Sequence, residues 1–248
     1  MDMDIDMTTP TDTSYSGKRL PARQLLVLAL RDPKAPRVLT VGGLMEFARD
    51  HLGVELHEQT AKYNMATLTR DGLLNNPTRG LYLNTLAQPM PTVMELARHM
   101  RSGAVVSLQT VLGQRGVLNN PTPWVTCVVP RGRTVPVTGK VDVGGTTFSF
   151  SSMNQAAMCE HLPQLALQPY APVPTATPEK ALLDWIYLAK NSRKWSEPPR
   201  FDLDFELLDM DAMDTLAQAM GIAEEWVEFR DRKKPAAVPK KAPFQRPR

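Results

Sequence analysis

The chain lacks most of what a disulfide-stabilised or membrane protein needs. It has two cysteines in 248 residues, Cys127 and Cys159, and no Cys-x-x-Cys pair. We therefore expect two free, buried thiols in a reduced cytoplasmic setting. No apolar run reaches about 18 residues, which argues against a transmembrane helix and a membrane partner. Residues 1–12 are acidic and polar, so we expect no secretory signal.

Charge is distributed unevenly along the chain. Residues 1–17 carry four acidic side chains and no basic one, whereas residues 230–248 carry eight Lys and Arg against one acid. Both segments have little to bury, so we predict a disordered acidic leader at 1–17 and a disordered basic tail at 230–248. The tail could attract DNA nonspecifically or simply be a solubilising terminus. Between them, residues 18–84 have ten basic against six acidic side chains, and residues 85–229 have eleven against fifteen.

The most informative pattern spans residues 40–84, which follow the order helix, short turn, helix and hairpin. Thr40 can cap a helix whose apolar residues recur at helical spacing, and Gly53 suits its left-handed end. A further helix is predicted at about residues 56–71. The short turn between these two helices is what a helix-turn-helix requires.

A hairpin and a preceding helix complete this unit. Short strands are predicted at residues 73–74 and 81–83, joined by the polar, turn-forming loop 75–80. A helix over about residues 21–30 is apolar nearly all round and should lie in the core. The whole arrangement is typical of a winged helix-turn-helix, which we predict over residues 18–86.

One face of the predicted third helix has the side chains that read duplex DNA. With Ala61, Met65 and Leu68 towards the core, steps of about 100° put polar residues on the opposite side. Arginine binds guanine or phosphate, glutamine binds adenine, and a hairpin arginine can reach a minor groove or phosphate. The predicted DNA contacts are Gln59, Lys62, Tyr63, Thr67, Arg70, Thr78 and Arg79. A polar face is also what a solvated helix presents, and winged helices also dock proteins, so an adaptor that docks protein stays open.

The sequence after the hairpin predicts a proline-rich linker at residues 88–91 and a larger mixed domain at residues 90–229. The fold class expected for the whole chain is therefore α+β. Thr177, Pro178 and Glu179 mark a well-defined helix start. The other predicted elements are helices at 92–101, 107–115 and within 205–222, and strands at 124–129, 135–137, 141–143 and 147–150, joined as hairpins.

Weaker patterns suggest catalysis or metal binding. Asp202 and Asp204 alternate as on a strand and could hold two Mg²⁺ ions, as in nucleotidyltransferases. Such enzymes place a glycine turn shortly before the acid pair, but the Gly144–Gly145 turn lies far upstream. Cys159 and His161 could begin a metal site, yet no further ligand lies nearby in the sequence. We therefore expect no enzyme activity, no metal and no cofactor.

Arg131 and Arg133 follow the predicted strand at 124–129. They could form a second basic patch for DNA or a partner protein. A charged hairpin tip is the simpler interpretation.

Four segments of the chain resemble the AbiEi family, antitoxins of type IV toxin–antitoxin systems related to abortive-infection phage defence. The segments are Thr78–Tyr82, Ala104–Leu112 with Arg115–Leu118, Trp124–Pro130 and Thr175–Asp184. The family implies an N-terminal winged helix that represses its own promoter, commonly at inverted repeats. It also implies a C-terminal domain that counteracts a nucleotidyltransferase-type toxin, AbiEii, encoded alongside. By this resemblance Lys62, Arg70 and Arg79 would contact DNA, whereas the acidic leader and basic tail are outside the family pattern.

These observations favour a non-enzymatic DNA-binding antitoxin and autorepressor. Its partners would be double-stranded promoter DNA and a nucleotidyltransferase-like toxin, opposed functionally rather than necessarily in a complex. The alternatives are a stand-alone winged-helix transcriptional regulator and a protein-docking adaptor without a toxin partner.

Overall fold

The computed structural model describes residues 22–132 and 138–232 and has a mixed α+β architecture with two sheets. The predicted acidic leader, the strand at 135–137, Arg133 and residues 233–248 of the predicted tail lie outside the described residues. In chain order the elements are α1 (Ala22–Ala29), β1 (Val38–Leu39), α2 (Val41–Leu52), α3 (Glu58–Arg70), β2 (Leu74–Thr78), β3 (Leu81–Asn84), α4 (Ala97–Met100), β4 (Val105–Val106), α5 (Gln109–Gln114), β5 (Val125–Pro130), β6 (Gly139–Val143), β7 (Thr146–Met153), α6 (Pro163–Ala166), α7 (Pro178–Asn191), α8 (Met210–Met220) and α9 (Ala223–Asp231). Short 3-10 turns lie at Val93–Leu96, Gln155–Met158, Arg200–Asp202 and Phe205–Leu207.

The first three helices enclose a small apolar core with a three-stranded antiparallel sheet in the order β1-β3-β2. Thr40 Oγ1 accepts a hydrogen bond of 2.9 Å from the Gly43 amide, so the predicted cap of α2 is confirmed. Gly53 closes α2 in the left-handed conformation, with φ 61°, as predicted. Strand β1 has only two residues and was not predicted. The core residues include Leu26, Leu30, Leu39, Leu44, Phe47, Ala61, Met65, Leu68 and Leu74.

The β2–β3 hairpin is longer than the sequence predicted. Residues 75–78 belong to β2, and only Arg79 and Gly80 form the turn. The side-chain amide of Asn76 donates to the carbonyls of Thr78 and Leu81, both at 2.8 Å. These bonds hold the strand across a register irregularity between Asn75 and Thr78. The prediction of a loop at residues 75–80 was therefore wrong. Residues 75–78 extend the strand, because the side chain of Asn76 replaces main-chain hydrogen bonds that are missing at the irregularity.

The second sheet has the strand order β4-β5-β7-β6. The β6–β7 hairpin was predicted, and its turn is made by Gly144 and Gly145, with φ 55° and 79°. Strands β5 and β7, however, pair in parallel, with Val125 opposite Phe148. The prediction that all of these strands are joined as hairpins was therefore wrong. Strand β6 lies at the edge of the sheet and is antiparallel to β7, and β7 runs parallel to β5.

Helices α7, α8 and α9 contribute to the larger apolar core with this sheet. Thr177 Oγ1 accepts a hydrogen bond of 3.2 Å from the Lys180 amide and donates one of 2.7 Å to the Leu165 carbonyl. Pro178 occupies the first turn, so the predicted helix start is confirmed. Helix α9 runs to Asp231, and the predicted tail therefore begins too early. Cys127 and Cys159 are free and buried, as expected.

Apolar and polar contacts join the smaller unit to the larger core. Val38 of β1 and Leu83 of β3 are buried in the larger core. Arg37 makes a bidentate pair with Glu95, with Nε–Oε2 at 2.7 Å and Nη2–Oε1 at 2.9 Å. Arg37 also donates to the carbonyl of Pro89 at 2.6 Å. At the hairpin, a Cβ added to Gly144 would lie 2.9 Å from the Cβ of Pro77, so the β6–β7 turn sits against β2. No helix within the described residues is long and apolar enough to cross a bilayer.

Candidate nucleic-acid interface

Helix α3 has one covered and one open face. Ala61, Met65 and Leu68 are fully buried in the small core. On the other side Tyr63 is 70% exposed, and Arg70 is also exposed. The other exposed positions of α3 are Glu58, Gln59, Thr60, Lys62 and Ala66. The predicted division of this helix into a core side and an accessible side is therefore confirmed.

Thr67 is the exception among the predicted contact residues on α3. Its side chain is only 7% exposed, although the sequence placed it beside the open face. Helix α3 contacts both α2 and β2, so its covered surface is wider than the apolar stripe alone indicates. Thr67 is therefore corrected from a groove-facing residue to a residue of the covered side.

The basic residues of α3 have acidic neighbours. Lys62 Nζ lies 2.5 Å from Glu58 Oε1 one turn earlier, and this hydrogen bond lowers the pKa of Glu58. Arg70 Nε lies 3.8 Å from Asp71, which also binds Arg23 of α1. Because these pairs are solvent-exposed, they hold their partners weakly.

Arg79 occupies the turn of the β2–β3 hairpin and is exposed. It forms no ion pair with any residue in the part of the chain that the structure describes. Thr78 is half-buried and lies opposite Leu81 in the hairpin. The hairpin therefore presents a guanidinium at its tip, with Thr78 less accessible than expected.

The residues considered for catalysis do not form the arrangement expected of them. Asp202 and Asp204 lie at short 3-10 turns, so the strand that the rejected catalytic alternative required is not formed. Asp204 accepts a hydrogen bond from the Glu206 amide at 3.1 Å, and it serves to cap its own turn. Gly144 lies against Pro77 instead.

Metal-binding clusters are also missing from residues 22–132 and 138–232. No group of three or more His, Cys, Asp or Glu is placed there to hold an ion. Cys159 is buried, whereas Glu160 and His161 are exposed. The adjacent pair considered from the sequence is therefore split between the core and the surface.

The sequence interpretation missed a buried polar cluster under α7. Lys180 forms an ion pair with Asp184 one turn later, and the two side chains are 3% and 0% exposed. Ser107 Oγ donates to the other oxygen of Asp184 at 2.6 Å. The i,i+4 spacing of opposite charges within an apolar helix was the available signal.

Comparisons with known proteins add little. No family model matches the chain, and no curated protein matches it. Among solved structures, the chain is similar to the crystal structure of the RV2827C protein from Mycobacterium tuberculosis. The two are 17% identical with a TM-score of 0.48, and the alignment covers 84% of this chain and 78% of that chain.

Proposed function

We propose that residues 22–86 form a winged helix-turn-helix that binds duplex DNA. The order α1, β1, α2, α3, β2, β3 with a β1-β3-β2 sheet is the arrangement expected of that class. In this proposal α3 enters the major groove and the β2–β3 hairpin acts as the wing. The observation that carries the proposal is the open side of α3 together with the exposed guanidinium of Arg79.

Within this interface the residues have different tasks. Arg70 and Arg79 neutralise phosphates or reach guanine edges, while Gln59 and Tyr63 face the bases or sugars. Lys62 leaves Glu58 when it binds a phosphate. Thr67 is not a contact residue in this proposal, because its side chain is covered.

A direct test is the binding of the chain to a fluorescent duplex that spans its own promoter. The double variant Arg70→Ala plus Arg79→Ala should weaken binding and lower the slope of log K against log salt by about 0.9 for each phosphate that is no longer neutralised. The matched control is Arg98→Ala plus Arg193→Ala, which removes two exposed arginines that lie outside residues 22–86. If both double variants bind the duplex as tightly as the wild type, the assignment of α3 and the wing fails.

We further propose that the chain is an antitoxin of the AbiEi type that represses its own promoter. The support is the resemblance of segments such as Thr78–Tyr82 and Thr175–Asp184 to that family. A toxin of the nucleotidyltransferase type should be encoded alongside. Co-expression should then relieve growth arrest by that toxin, and persistent arrest with soluble antitoxin present would contradict the proposal.

One observation favours the second candidate, a protein-docking adaptor. Both basic side chains of α3 are next to carboxylates, and the ring of Tyr63 is 70% exposed. Aromatic rings of this kind are enriched at protein interfaces. The duplex assay separates the candidates, because an adaptor would show no binding that depends on Arg70 and Arg79.

A further inference from the structure

A groove of about 620 Å³ lies between the β6–β7 hairpin and the C-terminal end of α7. Its described lining contains three cations, Arg131, Lys140 and Lys194, and no carboxylate. Hydroxyl and amide side chains and the rings of Tyr187 and Trp195 supply much of the rest. The side chains that line the groove are therefore those of an anion site. This is so although acidic residues outnumber basic ones over residues 85–229 as a whole.

The three cations of this groove have no carboxylate beside them in its lining. None of them forms an ion pair with another residue within 22–132 and 138–232. Lys140 instead places Nζ 3.1 Å from the centroid of the Trp124 ring. An ammonium held by a ring keeps its charge without a counter-ion. The groove thus combines concentrated positive charge with side chains that donate hydrogen bonds.

A neighbouring cleft differs from this groove in its charge. The cleft lies between α7 and α9, and its cations are neutralised. Lys190 pairs with Glu225, and Arg232 pairs with both Glu197 and Glu228. The lining of the β6–β7 groove, in contrast to that of this cleft, has three cations and no carboxylate.

The strands position the polar side chains of the groove. Lys140 of β6 lies opposite Ser149 of β7, so the two side chains point to the same face of the sheet. Arg131 follows β5, and its amide donates to the Met153 carbonyl at 2.7 Å. Lys140, Ser149 and Arg131 are all tied to paired strands, so the sheet fixes their spacing along the groove.

The aromatic rings decide which anion fits best. Trp195 packs edge-on against Trp185, with ring centroids 6.1 Å apart, and both Trp195 and Tyr187 remain partly exposed. A single strand exposes base faces that can stack on such rings, whereas a duplex hides them. We propose that this groove binds single-stranded nucleic acid, with phosphates at Arg131, Lys140 and Lys194 and bases against Tyr187 and Trp195. This site is separate from the proposed duplex interface on α3 and the hairpin.

The test uses fluorescein-labelled oligothymidylate and oligouridylate of about 16 nucleotides, since single-strand sites cover about 4–16 nucleotides. The full chain should bind them, and the two strands show whether DNA or RNA is preferred. The triple variant Arg131→Ala, Lys140→Ala and Lys194→Ala should bind at least about tenfold more weakly, with the salt slope reduced by about 0.7 for each phosphate that is no longer neutralised. The matched control removes three cations of residues 90–229 that do not line the groove, Arg98, Lys190 and Arg193, and should bind like the wild type.

A second measurement uses the unaltered chain and does not depend on how the variants fold. An abasic strand of the same length should bind about tenfold more weakly than oligothymidylate, because it has no bases to stack on the rings. Equal binding of the abasic strand, or an equal weakening in the test and control variants, would overturn the proposal. Binding of a blunt duplex as tight as that of the single strand, and dependent on the same three cations, would also overturn it.

The two nucleic-acid sites can be tested separately. Arg70→Ala plus Arg79→Ala should leave the affinity for the oligonucleotides unchanged, whatever it does to duplex binding. Failure of that variant to bind the oligonucleotides would place the single strand on α3 and overturn the groove assignment.

Discussion

The ion pair between Lys180 and Asp184 is the side-chain interaction on which stability should depend most. Both side chains are almost completely buried, and Asp184 also accepts from Ser107. Removing one partner leaves an uncompensated charge in the core. Asp184→Ala should therefore lower the free energy of unfolding by about 3–5 kcal/mol in urea titrations followed by circular dichroism.

Two variants test this explanation. Glu225→Ala, which breaks the partly exposed pair with Lys190, should cost at most about 1 kcal/mol. Replacing both buried partners, as in Lys180→Met plus Asp184→Leu, should recover most of the stability, because no charge is left unpaired. A double variant as unstable as Asp184→Ala alone would contradict it.

Cys127 gives a pH dependence with a definite sign. Burial raises the pKa of its thiol from 9.0 to about 12. Below pH 9 the thiol is protonated in both states and contributes no difference. Between pH 9 and about 12 the unfolded chain loses the proton that the folded chain retains, so stability should fall by up to about 1.4 kcal/mol per pH unit.

Urea unfolding at pH 8, 9 and 10 measures this contribution. Cys127→Val keeps an apolar side chain of similar size and cannot ionise. The wild type should therefore lose more stability than this variant as the pH rises. Parallel curves for the two proteins would show that the thiol remains protonated in the unfolded chain or is accessible in the folded one.

Among the helices and strands, α7 shows most clearly how a local sequence feature, its N-cap residue, contributes to the free energy of unfolding. Thr177 accepts from the Lys180 amide and donates to the Leu165 carbonyl, so it joins α7 to α6 as well as satisfying an orphan amide. Thr177→Ala should cost about 1–2 kcal/mol in thermal or urea unfolding. Thr177→Ser should retain most of that stability, because it keeps the hydroxyl.

Thr215→Ala is the matched control for the cap. That hydroxyl donates to the Asp211 carbonyl one turn earlier on α8 and satisfies no orphan amide. Its removal should change stability by less than about 0.5 kcal/mol. An equal destabilisation in the two alanine variants would mean that capping does not explain the effect at Thr177.

Elements with local signals could be predicted from the sequence. Thr40 and Thr177 carry the cap in their own side chains, and the Gly144–Gly145 turn needs a positive φ that glycine adopts readily. The hairpin at residues 74–84 was predicted too short, because the bonds made by Asn76 depend on the folded turn. Parallel pairing of β5 with β7 could not be predicted, since no local pattern specifies which distant strand is the neighbour.

The residues of the candidate sites likewise include some that could be predicted from the sequence and some that could not. The open side of α3 follows from helical periodicity, and the sequence predicted most of it. Coverage of Thr67 depends on packing against other elements. The groove joins Arg131, Lys140 and Lys194 from three separate segments, and of these the sequence interpretation had singled out only Arg131.

For the whole molecule, the pair between Arg37 and Glu95 should strengthen the coupling between the two cores, which Val38 and Leu83 also join. Glu95 is 4% exposed, and the pair is bidentate. A double-mutant cycle of Arg37→Ala and Glu95→Gln should give a coupling of about 1.5–3 kcal/mol. The glutamine retains an oxygen that can accept from the Thr92 amide.

Cooperativity is the second measurement of this pair. The wild type should unfold in one transition, whereas the double variant should show a separate, earlier transition of the smaller core. Calorimetry or two spectroscopic probes would resolve them. Additive single-variant effects together with one unchanged transition would show that the pair does not couple the cores.

The close approach of Gly144 to Pro77 has a steric consequence for the arrangement of the two hairpins. Pro77 belongs to the hairpin that carries Arg79, and Gly144 directly follows the strand that carries Lys140. Between Lys140 and Gly144 the backbone advances about 13 Å along a paired, stiff strand. A side chain at position 144 would collide with Pro77, so the two hairpins can approach this closely only because residue 144 is glycine. The hairpin that carries Arg79 and the hairpin that carries Lys140 belong to different sheets, and Gly144 is where these hairpins meet.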